Sequence, residues 1–129
     1  TRWERIDVTC NFDRVLTEGS HDLFVLDSLA ALVRQRIKSR FVDSSTITLE
    51  AMREVSENIS REVMNMVVAA KENGRNLLVI SSEVGMGIVP EDDTTRFFRA
   101  ETGRVNQLMA SLADEGYMLV SGIPIKIKG

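Results

Sequence analysis

Apolar positions along the chain follow two different periods. Short continuous runs, LFVL at 23–26 and NLLVI at 76–80, have the form of strands buried on both faces, as in a parallel sheet, and YMLV at 117–120 makes a third apolar strand. Between them, apolar residues recur every three or four positions, the spacing of one helical face. Leu29, Leu32, Val33 and Ile37 predict a helix from Ser28 to about Arg40. Met52, Val55, Ile59, Val63, Met66, Val67 and Ala70 predict a longer one, ended by Asn73-Gly74, a C-cap signal. Phe97, Phe98, Val105, Leu108, Met109 and Leu112 predict a third, from about Glu91 to Asp114.

The connecting stretches carry their own signals. WERIDVTCNF at 3–12, with Ile6, Val8 and Thr9, alternates loosely and predicts a short strand or extended segment. TEGSHD at 17–22 reads as a turn, and VDSSTIT at 42–48 as a loop supplying the N-cap of the long helix. After Gly122, IPIKIK alternates strictly, and its Pro124, Lys126 and Lys128 suit an edge strand guarded against further pairing. The expected fold is α/β: a parallel sheet with helical crossovers, ending in a hairpin at the sheet edge.

Composition narrows the class. The chain has 129 residues, of which 43% are hydrophobic and 27% charged, enough apolar material for one core and too little length for two domains. One domain over 1–129 is expected. A net charge of −3 with scattered Lys and Arg gives no basis for nucleic acid as a partner. The single Cys10 forms no intrachain disulfide, and no apolar run of membrane-spanning length is present. A cytoplasmic protein is expected. The first residue is Thr1, not Met, with Trp3 close behind, as though an upstream part had been removed or was never included.

In open α/β sheets, ligands bind beyond the carboxyl ends of the strands, so two places stand out. Asp27 follows the run at 23–26, where an acid can serve a magnesium ion or its water shell; equally, Asp27 or Ser28 can cap the next helix. The second place is EVGMGIVPEDD at 83–93. Pro90 near the first helical position and Glu91, Asp92 and Asp93 in the first turn favour helix initiation. Gly85-Met86-Gly87 requires something more, and positive φ at Gly85 and Gly87, or close approach to another backbone or ligand, is expected. Glu83 and the acids argue against a phosphate cradle and for a role near a metal, a base edge or a subunit contact. Arg96 and Arg99 share one helix face. Gly103 is expected to permit close packing, while Arg104, Asn106 and Gln107 have the form of solvated helix residues. His21 reads as an exposed loop residue without an acid–base partner.

The residues from NLLVIS to the end resemble the carboxy-terminal half of the bifunctional adenosylcobinamide kinase/adenosylcobinamide-phosphate guanylyltransferase family. The resemblance rests on EVGMGIVPE at 83–91, on Arg96-Phe97-Phe98-Arg99, on GRVNQ at 103–107, on Ala113-Asp114-Glu115 and on Gly122-Ile123-Pro124. It extends to Trp3 and Asp7, which look like the family's Trp-x-x-x-Glu, and to LFVLDSL, which looks like its strand ending in an acid. It implies a RecA-like phosphate-loop fold lacking its amino-terminal part, assembled as a homo-oligomer. The implied chemistry is phosphorylation of adenosylcobinamide by ATP or GTP, then GMP transfer from GTP to adenosylcobinamide phosphate, giving adenosylcobinamide-GDP. Asp7 and Asp27 would lie at the nucleotide, Asp27 also organising Mg2+. Glu83, Gly85, Met86, Gly87, Arg96, Arg99, Arg104 and Asn106 would lie near the site or at a subunit contact.

The 129 residues also depart from the family pattern. They contain no G-x-x-x-x-G-K-S phosphate loop, and His21 does not match the histidine that the family guanylylates. Ser28 and Ala30 replace the family's usual Cys and Thr, and Ser82 its Asn. The expectation is therefore part of a longer enzyme, with a shortened noncatalytic paralogue acting as a binding or assembly partner as the alternative. Without the neighbouring phosphate-loop strand, the strand at 23–26 would have unpaired edge groups and bare apolar side chains, so the isolated chain is expected to self-associate or to require its missing amino-terminal part, and to show no measurable GTP binding with magnesium.

Overall fold

In a computed structural model, the structure describes residues 2–7, 11–41 and 47–129. The chain runs α1 (Phe12–Glu18), β1 (Leu23–Asp27), α2 (Leu29–Arg40), α3 (Leu49–Glu72), β2 (Asn76–Ile80), α4 (Asp93–Leu112), β3 (Gly116–Val120) and β4 (Ile123–Lys128). The long helix α3 is the centre. Its stripe Val55, Ile59, Val63, Met66 and Val67 is buried and meets Leu29, Val33 and Ile37 of α2, Leu16 of α1, and Val105 and Met109 of α4 in one core. Residues spaced three and four apart share a helical face, so this single stripe can serve three neighbours.

Local chemistry fixes the helix ends. Ser28 Oγ accepts from the Ala31 N–H at 3.2 Å and Thr48 Oγ1 from the Ala51 N–H at 3.1 Å, each satisfying an orphan donor of a first turn. Thr48 is the expected cap of α3; Val42 to Thr46, the rest of that loop, lie outside the described residues. At its far end α3 closes in a Schellman arrangement. Gly74 has φ +60°, its N–H donates to Lys71 O at 3.2 Å, and the Arg75 N–H donates to Ala70 O at 2.8 Å. Asp92 caps α4, its carboxylate accepting from the Thr95 N–H at 2.7 Å. Hydrogen bonding from Thr95, first from its side chain and then from this backbone N–H, holds the Asp92 carboxyl below its ordinary value. The helix thus begins later than Glu91, and Pro90 stands before the cap instead of in the first turn.

β1 and β2 pair in parallel, Leu23 opposite Asn76 through Asp27 opposite Ile80. The expectation of burial on both faces is corrected. Phe24, Leu26, Leu77 and Val79 pack on the core, but Leu23, Val25, Leu78 and Ile80 are 38–52% exposed. Among the described residues the helical core covers one face of this two-stranded sheet, and the other is bare.

The hairpin placement also differs. β3 and β4 form a separate two-stranded antiparallel sheet, not an edge of β1–β2. Their two-residue connection has Ser121 at φ 52° and Gly122 at φ 79°, the doubly positive turn that matches strand twist. It is tied to α4 by Lys128, whose ammonium donates to the carbonyls of Ala110 and Ser111 at 2.9 and 3.0 Å.

Two further expectations are corrected. Residues 2–7 carry no helix and are not paired as a strand, Val8 to Cys10 are outside the described residues, and Phe12 departs from an extended segment, opening helix α1, which takes in Thr17 and Glu18 of the expected turn. In so short an element the apolar pattern does not separate helix from strand. Gly103 permits no close packing, because a Cβ built there meets no atom within 4 Å. Gly103→Ala should therefore stabilise the fold by roughly 0.5–1 kcal/mol through helix propensity. The measure is the urea midpoint at unchanged m-value, and a lower midpoint would show that the space is needed.

Candidate functional site

The register of β1 and β2 brings the carboxyl end of the parallel sheet to Asp27 and Ile80, so Asp27 and the residues after Ile80 leave from the same edge. The Asp27–Ser28 peptide bond is cis. Ser28 caps α2, which settles the capping role that could have fallen to either residue. The exposed Asp27 carboxylate makes no hydrogen bond or ion pair with a described residue. Among the described residues it is a free oxygen donor. Among the described residues, no three His, Cys, Asp or Glu side chains group to hold a metal ion. One unengaged carboxylate therefore fits magnesium, which takes one or two carboxylates and completes its shell with phosphates and water, and does not fit a metal caged by protein alone.

Asp27 lines a groove of about 850 Å³. One wall is the segment 2–7, with Trp3 and Asp7; the other is β1 with the start of α2, through Val25, Ser28 and Gln35. Asp7 and Asp27 thus share one cavity, although Asp7 is engaged by Arg5, whose Nη2 donates to its Oδ1 at 3.0 Å. His21 lines the same groove. It is an exposed loop residue, as expected, and the partner the sequence could not identify is Glu4, whose Oε2 lies 2.9 Å from its Nε2; its ring meets Phe24 edge-on.

The loop beyond β2 is a second cluster. Neither Gly85 nor Gly87 has the positive φ expected of them. Side chains shape the loop instead: Glu83 folds back to accept the Gly85 N–H at 2.6 Å, and Arg99 reaches from α4 to donate to Ile88 O at 2.9 Å and to Gly85 O. Arg96 donates to Pro90 O at 3.2 Å and Glu91 O at 2.7 Å, and pairs with Asp93. Asn106 anchors the start of the loop, donating to Ser82 O at 3.0 Å and accepting from Ser81 Oγ at 2.6 Å. It is not merely a solvated helix residue. With these bonds holding its carbonyls inward, the loop turns Met86, Ile88 and Val89 to solvent, at 83%, 97% and 66% exposure.

Arg104 belongs to neither cluster and is likewise more than a solvated residue. It forks onto Glu101, donates to Ser56 O at 2.9 Å, and so joins α4 to α3. Glu101 is only 3% exposed and also accepts from Ser56 Oγ at 2.7 Å. Its hydrogen bond pushes the Arg104 guanidinium above an already high value, against the opposing effect of burial. Sequence reading passed over Glu101 and Ser56. The available signal was an acid four residues from both Phe97 and Val105, on the apolar stripe, with Arg three residues on.

The model of the cobinamide kinase / cobinamide phosphate guanyltransferase family, CobU, matches residues 1–127. The chain belongs to that family. Two bacterial relatives agree. The bifunctional adenosylcobalamin biosynthesis protein CobU of Escherichia coli (strain K12) is 40% identical over 74 residues, which are 57% of this chain and 41% of the relative. Its namesake from Salmonella typhimurium is 44% identical over 70 residues, 54% of this chain and 39% of the relative. The matched stretch thus spans about two-fifths of each curated relative. For this member of the family, the α/β architecture with its small parallel sheet is compatible with the expected phosphate-loop-like class. No helix among the described residues is long and apolar enough to cross a membrane.

Proposed function

We propose that this protein contributes the acid-bearing end of the nucleotide site in a bifunctional cobinamide kinase and cobinamide phosphate guanylyltransferase. The observation that carries the reading is the free Asp27 carboxylate, at the carboxyl end of a parallel strand and on the wall of a groove, in a chain of this family. The kinase reaction forms an O–P bond between the substrate hydroxyl and the γ-phosphorus of ATP or GTP, with the nucleoside diphosphate leaving. The second reaction joins adenosylcobinamide phosphate to the α-phosphorus of GTP and releases pyrophosphate. Magnesium, bound with the triphosphate, neutralises charge on its phosphate oxygens.

Asp27 would orient that ion through its carboxylate. Asp7, across the groove, would meet the sugar or base, where a carboxylate accepts hydrogen bonds without repelling phosphate. These residues provide no backbone cradle for the phosphates and no cradle Lys, so the reading assigns phosphate binding to a segment outside them. The bare faces of β1–β2 and of the hairpin support assembly with further protein, read here as a homo-oligomer. The expected setting is the cytoplasm. The test incubates the protein, in a form that includes the phosphate-binding segment, with adenosylcobinamide phosphate, magnesium and GTP labelled at the α-phosphorus. Label appearing in adenosylcobinamide-GDP is the expected result, and GTP left intact under conditions where a bacterial relative consumes it would reject the reading.

A further inference from the structure

We infer that the loop at 83–90 is the element that receives the corrin ring of the cobinamide substrate, and that Arg96 and Arg99 are positioning residues for it. This inference rests on the function proposed above. Of the two kinds of substrate, the nucleotide is the poorer match to the loop. Each terminal nitrogen of Arg99 gives an N–H to a loop carbonyl, of Ile88 and of Gly85, and those of Arg96 donate to Pro90 O, Glu91 O and the Asp93 carboxylate. In this arrangement the two cations are turned onto protein oxygens. Glu83 brings a negative charge to the base of the loop, where a triphosphate would be repelled.

What the loop offers is apolar. Met86, Ile88 and Val89 stand in solvent on a backbone pinned at four carbonyls, and Gly87 adds no side chain that could hold a flat ligand away. The loop leaves β2 immediately beyond Ile80, the partner of Asp27, so it rises from the sheet edge that carries the nucleotide-side acid. A corrin ring is a broad, largely apolar disc with methyl groups and amide arms on its rim, and an exposed Met–Ile–Val surface fits the disc. Pinning the loop beforehand lowers the ordering cost of binding. A flexible loop of the same sequence would lose that advantage.

Adenosylcobinamide is coloured, so its binding can be followed by equilibrium dialysis at the corrin absorbance, without turnover. Ile88→Ser and Met86→Ser alter exposed side chains and should leave folding intact. Each should weaken adenosylcobinamide binding about tenfold, a loss typical of removing a buried apolar contact of about 1.4 kcal/mol, while GTP affinity is unchanged. Arg99→Gln should weaken corrinoid binding by a similar factor and increase proteolytic cleavage within 83–90; Arg99→Lys should restore part of both. Corrinoid binding unaffected by all four substitutions would overturn the inference, as would a loss of GTP affinity alone. A change in oligomeric state caused by Ile88→Ser would assign the loop to a second copy of the chain and overturn it too. Asp27→Asn separates the two readings: it should spare corrinoid binding, so a wild-type protein that binds corrinoid through Ile88 and never engages GTP defeats the nucleotide reading alone.

Discussion

Asp27→Asn should reduce nucleotide-dependent transfer to cobinamide substrates by two or more orders of magnitude, about 3 kcal/mol or more of lost transition-state stabilisation. The substitution keeps size and shape and removes only the charge proposed to orient magnesium. Folding should be unaffected, because the helix cap belongs to Ser28 and the Asp27 carboxylate engages no described partner. The two readouts are the rate of adenosylcobinamide-GDP formation and the thermal midpoint. A normal rate in a normally folded variant removes Asp27 from the site. A large fall in thermal midpoint would instead show that the carboxylate is structural. Raising magnesium should recover part of the rate if the lost charge acts through the ion, since weaker coordination is offset by mass action.

Arg104→Ala should cost the fold roughly 1–3 kcal/mol, below the scale of a fully buried pair because the Arg104 side chain is itself 43% exposed, but above a surface pair because its partner is left in the interior. Glu101, 3% exposed, would retain Ser56 Oγ as its one side-chain donor, and α4 would lose its bond to the Ser56 carbonyl on α3. The cost comes mainly from the stranded carboxylate. Replacing the pair together, Glu101→Leu with Arg104→Met, should therefore recover most of the stability, because two apolar side chains strand no charge. Urea midpoints of the single and double variants decide the matter. Equal losses in both would mean that the bonds themselves, not the abandoned charge, carry the stability. The pair is remote in role from Asp27 and the groove, so activity at a temperature well below the midpoint should be retained.

Much of this molecule was written locally. The stripe from Val55 to Ala70 sets the position and inward face of α3 because helical period converts spacing into a face without reference to the rest of the chain. Thr48 and Gly74 mark its ends for the same reason: capping and a left-handed closure involve atoms only a few residues apart. The place of Asp27 at the end of β1 is marked by an equally short pattern, an acid closing an apolar run. EVGMGIVPE and GRVNQ sufficed for the family. Tertiary structure decided what depends on neighbours distant in sequence. The apolar runs at 23–26 and 76–80 identify strands, yet only the packing of helices on one side determines that Phe24 and Leu77 are covered while Val25 and Leu78 are bare. The glycines around Met86 implied special backbone angles, whereas the loop is held by Arg99, 14 residues from Gly85. Glu101 reads as one more surface acid until α3 brings Ser56 to it across 45 residues. Periodicity reports which way a side chain faces within its own element; what waits on that side is set by chain segments that the pattern does not contain.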